Sequence, residues 1–251
     1  MTGGATTPPE YSAVVIPCYN EEERLDLAQV EGLLSSQQIS VVLVDDGSTD
    51  GTWQMLEAFA ARHPHRVIAH ALVENHGKAE AVRQGLLVAV QNGAARVGYL
   101  DADMATPAAE MCGLVQRLSD HPELRAVLGS RIRLLGHDIR RSGARHYLGR
   151  VFATVASLVL KLPVYDTQCG AKVFRVDDNF RAALAEPFSS RWAFDVELLL
   201  RITRGPDPVT SEQLLEVPLK KWEDPGGSKL TATAMLRGGL DLLALASRDD
   251  A

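Results

Sequence analysis

Three cysteines occur in the 251 residues, Cys18, Cys112 and Cys169, with no C-x-x-C pair. An odd, widely spaced set argues against a disulfide framework, and a reducing compartment fits best. Long hydrophobic runs are also missing. The longest apolar stretch, Val151 to Leu160, is far below the roughly 20 residues that a membrane-spanning helix needs. Positive charge is in deficit: 26 Lys and Arg against 32 Asp and Glu give a net charge of −6. That balance argues against a nucleic-acid binder. Met1 to Glu10 is small, polar and Pro-containing. It has no basic region followed by an apolar one, so it does not read as a signal peptide. Residues 1–11 are expected to be a disordered leader. The expected location is cytoplasmic, or peripheral on the inner face of a membrane.

What is present is an ordinary globular composition, 46% hydrophobic and 23% charged. Apolar β-branched runs alternate with helical spacing. Ser12–Ile16, Ile39–Val44, Arg66–Leu72, Val97–Leu100 and Ala126–Gly129 read as strands. Glu21–Leu34, Thr52–Arg62 and Lys78–Val90 read as helices, and Pro107 fits the first turn of another. This order predicts an α/β chain with a mostly parallel central sheet flanked by helices. Residues 12–251 form one expected domain, divided near residue 131, after which the alternation weakens.

In such sheets, ligands bind beyond the C-terminal strand edges. Four polar clusters follow the first four strands: Pro17–Glu21, Asp45–Asp50, Asn75–Lys78 and Asp101–Thr106. Their convergence on one rim is the main functional signal. Asp101-Ala102-Asp103 presents two carboxylates on a tight turn. That suits Mg²⁺ or Mn²⁺, which take one or two carboxylates plus substrate phosphates. Alone, the same triplet is equally a solvated acidic turn. Asp50 reads as a cap for the helix near Thr52. Asp45 and Asp46 are left over, and one of them can accept from a base or ribose edge. Asn75-His76-Gly77-Lys78 places a glycine, a lysine and a helix N-terminus where an anion would bind. His63, His65, His70, His76 and His121 lack metal-ligand spacing and read as surface residues.

Val15–Glu21, Asp45–Asp50, Asn75–Lys78 and Asp101–Asp103 together resemble the inverting family 2 glycosyltransferases. Gly129-Ser130-Arg131, Asp166–Phe174, Arg191–Leu198 and Gly227–Leu230 narrow the resemblance to polyprenyl-phosphate glycosyltransferases. Within these, they are similar to the dolichyl-phosphate β-glucosyltransferase branch. The resemblance implies a glycosyltransferase-A, Rossmann-like fold and a UDP-sugar donor, with UDP-glucose the first choice. It implies that Pro17, Tyr19, Glu21 and Asp46 hold base and ribose, and that Asn75, Lys78 and Asp101 complete the donor site. Asp101 and Asp103 would hold Mg²⁺ or Mn²⁺. Arg131, with Arg140, Arg145 and Lys229, would hold the acceptor phosphate. Two positions depart from the pattern: Ala105 stands where mannosyl relatives often have Gln, and Ala171 where Phe is usual. The second is expected to widen an acceptor channel.

Residues 131–150 hold six arginines and one acid, Asp138. This reads as a surface for anionic lipid or as a solvated face. The helix running from Tyr147 to Leu160 reads as an interfacial helix or as a core helix. Asp195, among Phe194, Val196, Leu198 and Leu199, and Asp166 are the candidates for a base, Asp195 with a pKa raised by burial. A hydroxyl acceptor needs a base; a phosphate acceptor, already anionic, scarcely does. The expected partners are therefore a UDP-sugar and a polyprenyl phosphate, with a membrane surface or a membrane-protein partner. The alternatives are a soluble hydroxyl acceptor and an inactive nucleotide-sugar-binding scaffold.

Overall fold

The computed structural model describes residues 10–140 and 143–223, with backbone only over 140 and 143–151. The first half runs β1 (Ser12–Cys18), α1 (Leu27–Leu34), β2 (Ile39–Asp45), α2 (Thr52–Arg62), β3 (Val67–Ala71), α3 (Lys78–Gln91), β4 (Arg96–Leu100), α4 (Ala108–Asp120) and β5 (Ala126–Ser130). The second runs β6 (Asp138–Arg140), α5 (Gly143–Leu160), β7 (Ala171–Arg175), α6 (Asp178–Ala183), α7 (Phe194–Arg204), β8 (Leu214–Pro218) and β9 (Lys221–Glu223). Seven strands form one sheet in the order β3-β2-β1-β4-β7-β5-β8. Every pairing is parallel except those of β7, which runs antiparallel between β4 and β5. The two sequence halves therefore share one sheet, because a strand of the second is inserted into the first. Strands β6 and β9 form a small parallel pair of their own.

The continuous apolar runs follow from burial of both sheet faces. On β1, Ala13 and Val15 enter one core while Val14, Ile16 and Cys18 enter the other. On β2, Val42 and Val44 face the first core, and Ile39, Val41 and Leu43 the second. Helices α3, α5, α6 and α7 cover the first face; α1, α2 and α4 cover the second. Helix α3 lies so close that a Cβ on Gly85 would fall 2.3 Å from Val15 Cγ1 and 2.8 Å from Val44 Cγ2.

The structure shortens one expected helix. Instead of spanning Glu21–Leu34, α1 starts at Leu27, where Asp26 accepts the Ala28 N–H at 2.9 Å. The residues before it are held elsewhere: the Glu21 N–H donates to Thr52 Oγ1 (2.8 Å) and Glu22 Oε2 accepts from Gly51 N (2.8 Å). Gly51, not Asp50, occupies the N-cap of α2, although Asp50 still accepts the Thr52 N–H at 3.0 Å. Two residues expected in the leader are held in place. Glu10 pairs with Arg96 at 2.7 Å, and the Tyr11 hydroxyl donates to Asn92 O. The ambiguous apolar helix is α5, a core helix: Phe152, Ala153, Ala156 and Leu160 are buried, and Phe152 packs edge-on against Trp192. Ala171 is fully buried in β7.

Gly85→Ala is expected to lower stability by about 1–3 kcal/mol, since the new methyl must displace two valines. Gly113, in α4, has nothing within 4 Å of an added Cβ. Gly113→Ala should raise stability by about 0.5–1 kcal/mol through helix propensity alone. Urea-denaturation midpoints with unchanged m-values check both.

Candidate active site

The site is a rim on which each loop is tied to the next. Loop one meets loop two: the Asn20 N–H donates to Ser48 Oγ (3.0 Å), and Asn20 Oδ1 accepts from Thr49 N (2.8 Å). Asn20 holds φ 53°, a left-handed conformation that asparagine tolerates. Loop two meets loop three through Asp46, whose carboxylate accepts the N–H groups of His76 (2.9 Å) and Gly77 (2.8 Å). Gly47, at φ 67°, lets the backbones approach; a Cβ there would fall 2.6 Å from Glu74 C. Burial raises the Asp46 pKa against the pull of those two amides. Asp46 is thus a loop brace in this structure.

Loop three meets loop four through Lys78, whose Nζ lies 2.6 Å from Asp101 Oδ1. Desolvation opposes the charge on Lys78, but Asp101, Asp195 and Asp103 outweigh it and push its pKa up. Lys78 is the first residue of α3, so the ammonium and the helix N-terminus act on the same point. Arg191 lies close by: its Cδ is 3.5 Å from where a Gly77 Cβ would stand. Asp103 Oδ1 accepts the Ala105 N–H at 3.1 Å, and Met104 between them takes φ 51°. Burial, then the charge of Asp101, raises the Asp103 pKa. Loop four meets the loop before β7, where the Asp101 N–H donates to Gly170 O at 3.1 Å.

On the far side, Arg131 is bound to Asp166. Its Nε and Nη2 each approach a carboxylate oxygen at 2.7 Å, and its backbone N–H donates at 3.0 Å. The guanidinium also lies over the Trp222 ring, 5.5 Å from its centroid. Burial opposes the charge on Arg131, but Asp166 raises its pKa further still. Asp166 is therefore an arginine's partner, and a base role would require breaking a bidentate pair. Asp195 is not an isolated carboxyl in an apolar pocket either. Its Oδ1 accepts from Lys172 Nζ at 2.7 Å and from the Tyr99 hydroxyl, with Lys172 fully buried. Lys172 had no role in the sequence reading. Its signal was a lysine inside an apolar strand, opposite Tyr99 in register.

Pro17, Tyr19 and Glu21 stand at the end of β1, with Tyr19 exposed, and Asn75 Nδ2 donates to Asp46 O at 3.2 Å. Lys229 and the side chains of Arg140 and Arg145 lie outside the described residues. All three cysteines are free, and burial with Asp166 pushes the Cys169 thiol up to about 11.

The pattern described as Glycosyl transferase family 2 matches residues 13–180. The chain belongs to this family. It is a glycosyltransferase. Mouse dolichyl-phosphate beta-glucosyltransferase is 34% identical over 266 residues, covering 96% of this chain and 76% of that protein. The Drosophila melanogaster enzyme of the same name is 34% identical over 249 residues, covering 93% and 73%. Mycobacterium tuberculosis glucosyl-3-phosphoglycerate synthase bound to phosphoglyceric acid superposes with TM-score 0.66 at 20% identity, over 95% of this chain and 80% of that one. A second structure of it, with Mn²⁺, UDP-glucose and phosphoglyceric acid, gives 0.65 at 18%, with the same coverage. The fold is glycosyltransferase-A.

The chemistry of the acidic pair in this glycosyltransferase fits a divalent cation. Burial, and then the neighbouring charge of Asp101, raise the Asp103 pKa, and Asp101 Oδ1 is buried with Lys78 against it. Among the described residues, no cluster of three or more ligating side chains exists.

Two changes test this construction. A Cβ on Gly170 would fall 2.2 Å from Asp101 Cγ. Gly170→Ala should weaken Mn²⁺–UDP binding by tenfold or more, about 1.4 kcal/mol, in calorimetry. Lys172→Met should cost about 3–5 kcal/mol, because it leaves Asp195 buried without its cation; its melting temperature reads this out.

Proposed function

We propose that the enzyme transfers a hexose, glucose first, from a UDP-sugar to a polyprenyl phosphate with inversion. The names of its relatives support the lipid phosphate and the glucose. The fold neighbour bound to UDP-glucose and Mn²⁺ supports the donor and the metal. The observation that carries the choice of acceptor is the state of the two base candidates. Asp166 is held by Arg131 and Asp195 by Lys172. An engaged carboxylate must give up its partner to take a proton. A hydroxyl nucleophile depends on that proton transfer; a phosphate oxygen, already anionic near neutral pH, does not.

The acceptor oxygen attacks the anomeric carbon in line, and the bond to the donor diphosphate breaks as the new bond forms. Negative charge then grows on the departing UDP. Lys78, shared with Asp101, and the N-terminus of α3 are assigned to stabilise it in this reading. Asp101 and Asp103 would hold Mg²⁺ or Mn²⁺, which when bound neutralises diphosphate charge as a Lewis acid. Pro17, Tyr19, Glu21 and Asp46 line the base and ribose end in this reading, with Asn75 beside them. Arg131 keeps N–H donors beyond the two it gives Asp166, and these are assigned to the acceptor phosphate. Arg140, Arg145 and Lys229 are assigned to the same group.

Turnover of a panel of UDP- and GDP-sugars, with and without polyprenyl phosphate in detergent, tests the reading. UDP-glucose should be the best donor, and EDTA and Asp103→Ala should each abolish transfer. Faster turnover of a GDP-sugar, or undiminished turnover in EDTA, would refute the donor assignment. Asp166→Asn separates the acceptor classes. On polyprenyl phosphate its kcat should fall by less than about tenfold, against the 10²–10⁴ that losing a general base costs.

A further inference from the structure

Five large hydrophobic side chains are exposed among the described residues: Tyr19, Val73, Leu134, Leu135 and Leu158. Leu134 and Leu135 are consecutive, and Leu135 is 102% exposed. They sit on the loop between β5 and β6, three residues beyond Arg131. The His137 N–H donates to Leu134 O at 3.2 Å, closing a four-residue turn. Gly136 takes φ 81°, with nothing within 4 Å of a Cβ added there. A positive φ at the third position is what a type II turn requires, and it leaves the second residue, Leu135, at the tip. Both feet of the turn are fastened. Ser130 O accepts from Leu219 N (2.9 Å) on one side; on the other, Lys220 O accepts from Asp138 N (2.8 Å), and His137 Nδ1 meets Leu219 O at 2.8 Å. The leucines therefore have no route back into a core.

A fixed apolar tip costs free energy in water unless something covers it. The charge around it says what. Arg133, next to Leu134, is exposed. Lys220 and Lys221 are exposed at the foot of the turn, where Lys220 O takes the Asp138 N–H and β9 pairs with β6. Positive charge beside an apolar tip selects an anionic surface. An apolar wedge with Arg133 beside it and two lysines at its foot matches a bilayer of anionic phospholipid, where leucine reaches the acyl boundary and the cations remain among headgroups.

We infer that the Leu134–Leu135 turn is a membrane wedge, which seats the β5 side of the active-site rim on an anionic bilayer. It rests on the lipid-phosphate reading for its purpose and not for its observation. Arg131 lies between the wedge and the sheet, so docking would bring the acceptor end of the rim to headgroup depth. The donor loops after β1, β2 and β3 lie toward the opposite edge of the sheet.

The test compares the full chain with Leu134→Ser/Leu135→Ser on vesicles of phosphatidylcholine alone and of phosphatidylcholine mixed with phosphatidylglycerol. Wild type should co-sediment with the mixed vesicles and less so as salt rises. The double variant should lose at least about tenfold in partitioning, with an unchanged melting temperature and unchanged turnover of a short-chain, water-soluble prenyl phosphate. A Leu135→Trp variant should show a blue-shifted emission on mixed vesicles and quenching by brominated lipid. Equal partitioning of wild type and double variant overturns the wedge. So does a wild type that ignores every vesicle yet turns over the soluble acceptor, in which case the function stands alone. A concentration-dependent dimer that the leucine changes dissolve, without vesicle binding, overturns it in favour of self-association. Vesicle docking through the leucines with no turnover of any prenyl phosphate supports the wedge and removes the proposed acceptor.

Discussion

A single buried ammonium organises the centre of this enzyme. Lys172 reaches its fully buried position from a strand inside the sheet, where an unpaired charge would cost several kcal/mol. Asp195 supplies the countercharge, Tyr99 donates to the same oxygen, and Cys169 O accepts from the ammonium. That requirement fixes more than a pair. Asp195 lies in the first turn of α7, so the helix must present that turn to the sheet. Its register is then set for Phe194, Val196, Leu198, Leu199 and Ile202, all buried. Glu197, two residues on in the same turn, is buried as well and is satisfied by Ser189, Ser190 and Arg201. The field of Asp195 also reaches Lys78, joining the buried pair to the start of α3.

The rim is stiff for a related reason. Polar groups at strand ends are obliged to find partners, and here they find them in adjacent loops. Asn20, Asp46, Lys78 and Gly170 each close one gap between neighbours. The result is a set of fixed dipoles and charges around one place. That is the arrangement by which a site stabilises developing charge without first reorganising itself.

Much of this was legible in the sequence. The five strands up to Ser130, α2, α3 and the gathering of four loops follow from period, β-branched runs and glycine placement. What was not legible has a common physical character: it depends on long-range pairing. The start of α1 is decided by bonds from Glu21 and Glu22 to residues some thirty positions away. The amides of His76 and Gly77, which Asp46 accepts, lie some thirty residues along the chain from it. Asp166 and Asp195 read as base candidates because sequence shows their neighbours along the chain. Their cations come from Arg131 and Lys172, 35 and 23 residues away. Nor could periodicity separate a core helix from an interfacial one in α5, since both need an apolar face.

The direction of β7 explains why loops of both sequence halves meet on one rim. Parallel strands bring the loops that follow them to one edge of the sheet. A second half built the same way would bring the loops that precede its strands to the opposite edge. Strand β7 runs the other way, so its preceding loop, Asp166 to Gly170, reaches the edge where β4 and β5 end. Gly170 O can then take the Asp101 N–H, and Asp166 can take Arg131. The glycine is needed because no side chain fits between β7 and Asp101. One antiparallel strand thus joins the acidic pair after β4 to the arginine after β5. It also carries the lysine that holds the helix beneath them.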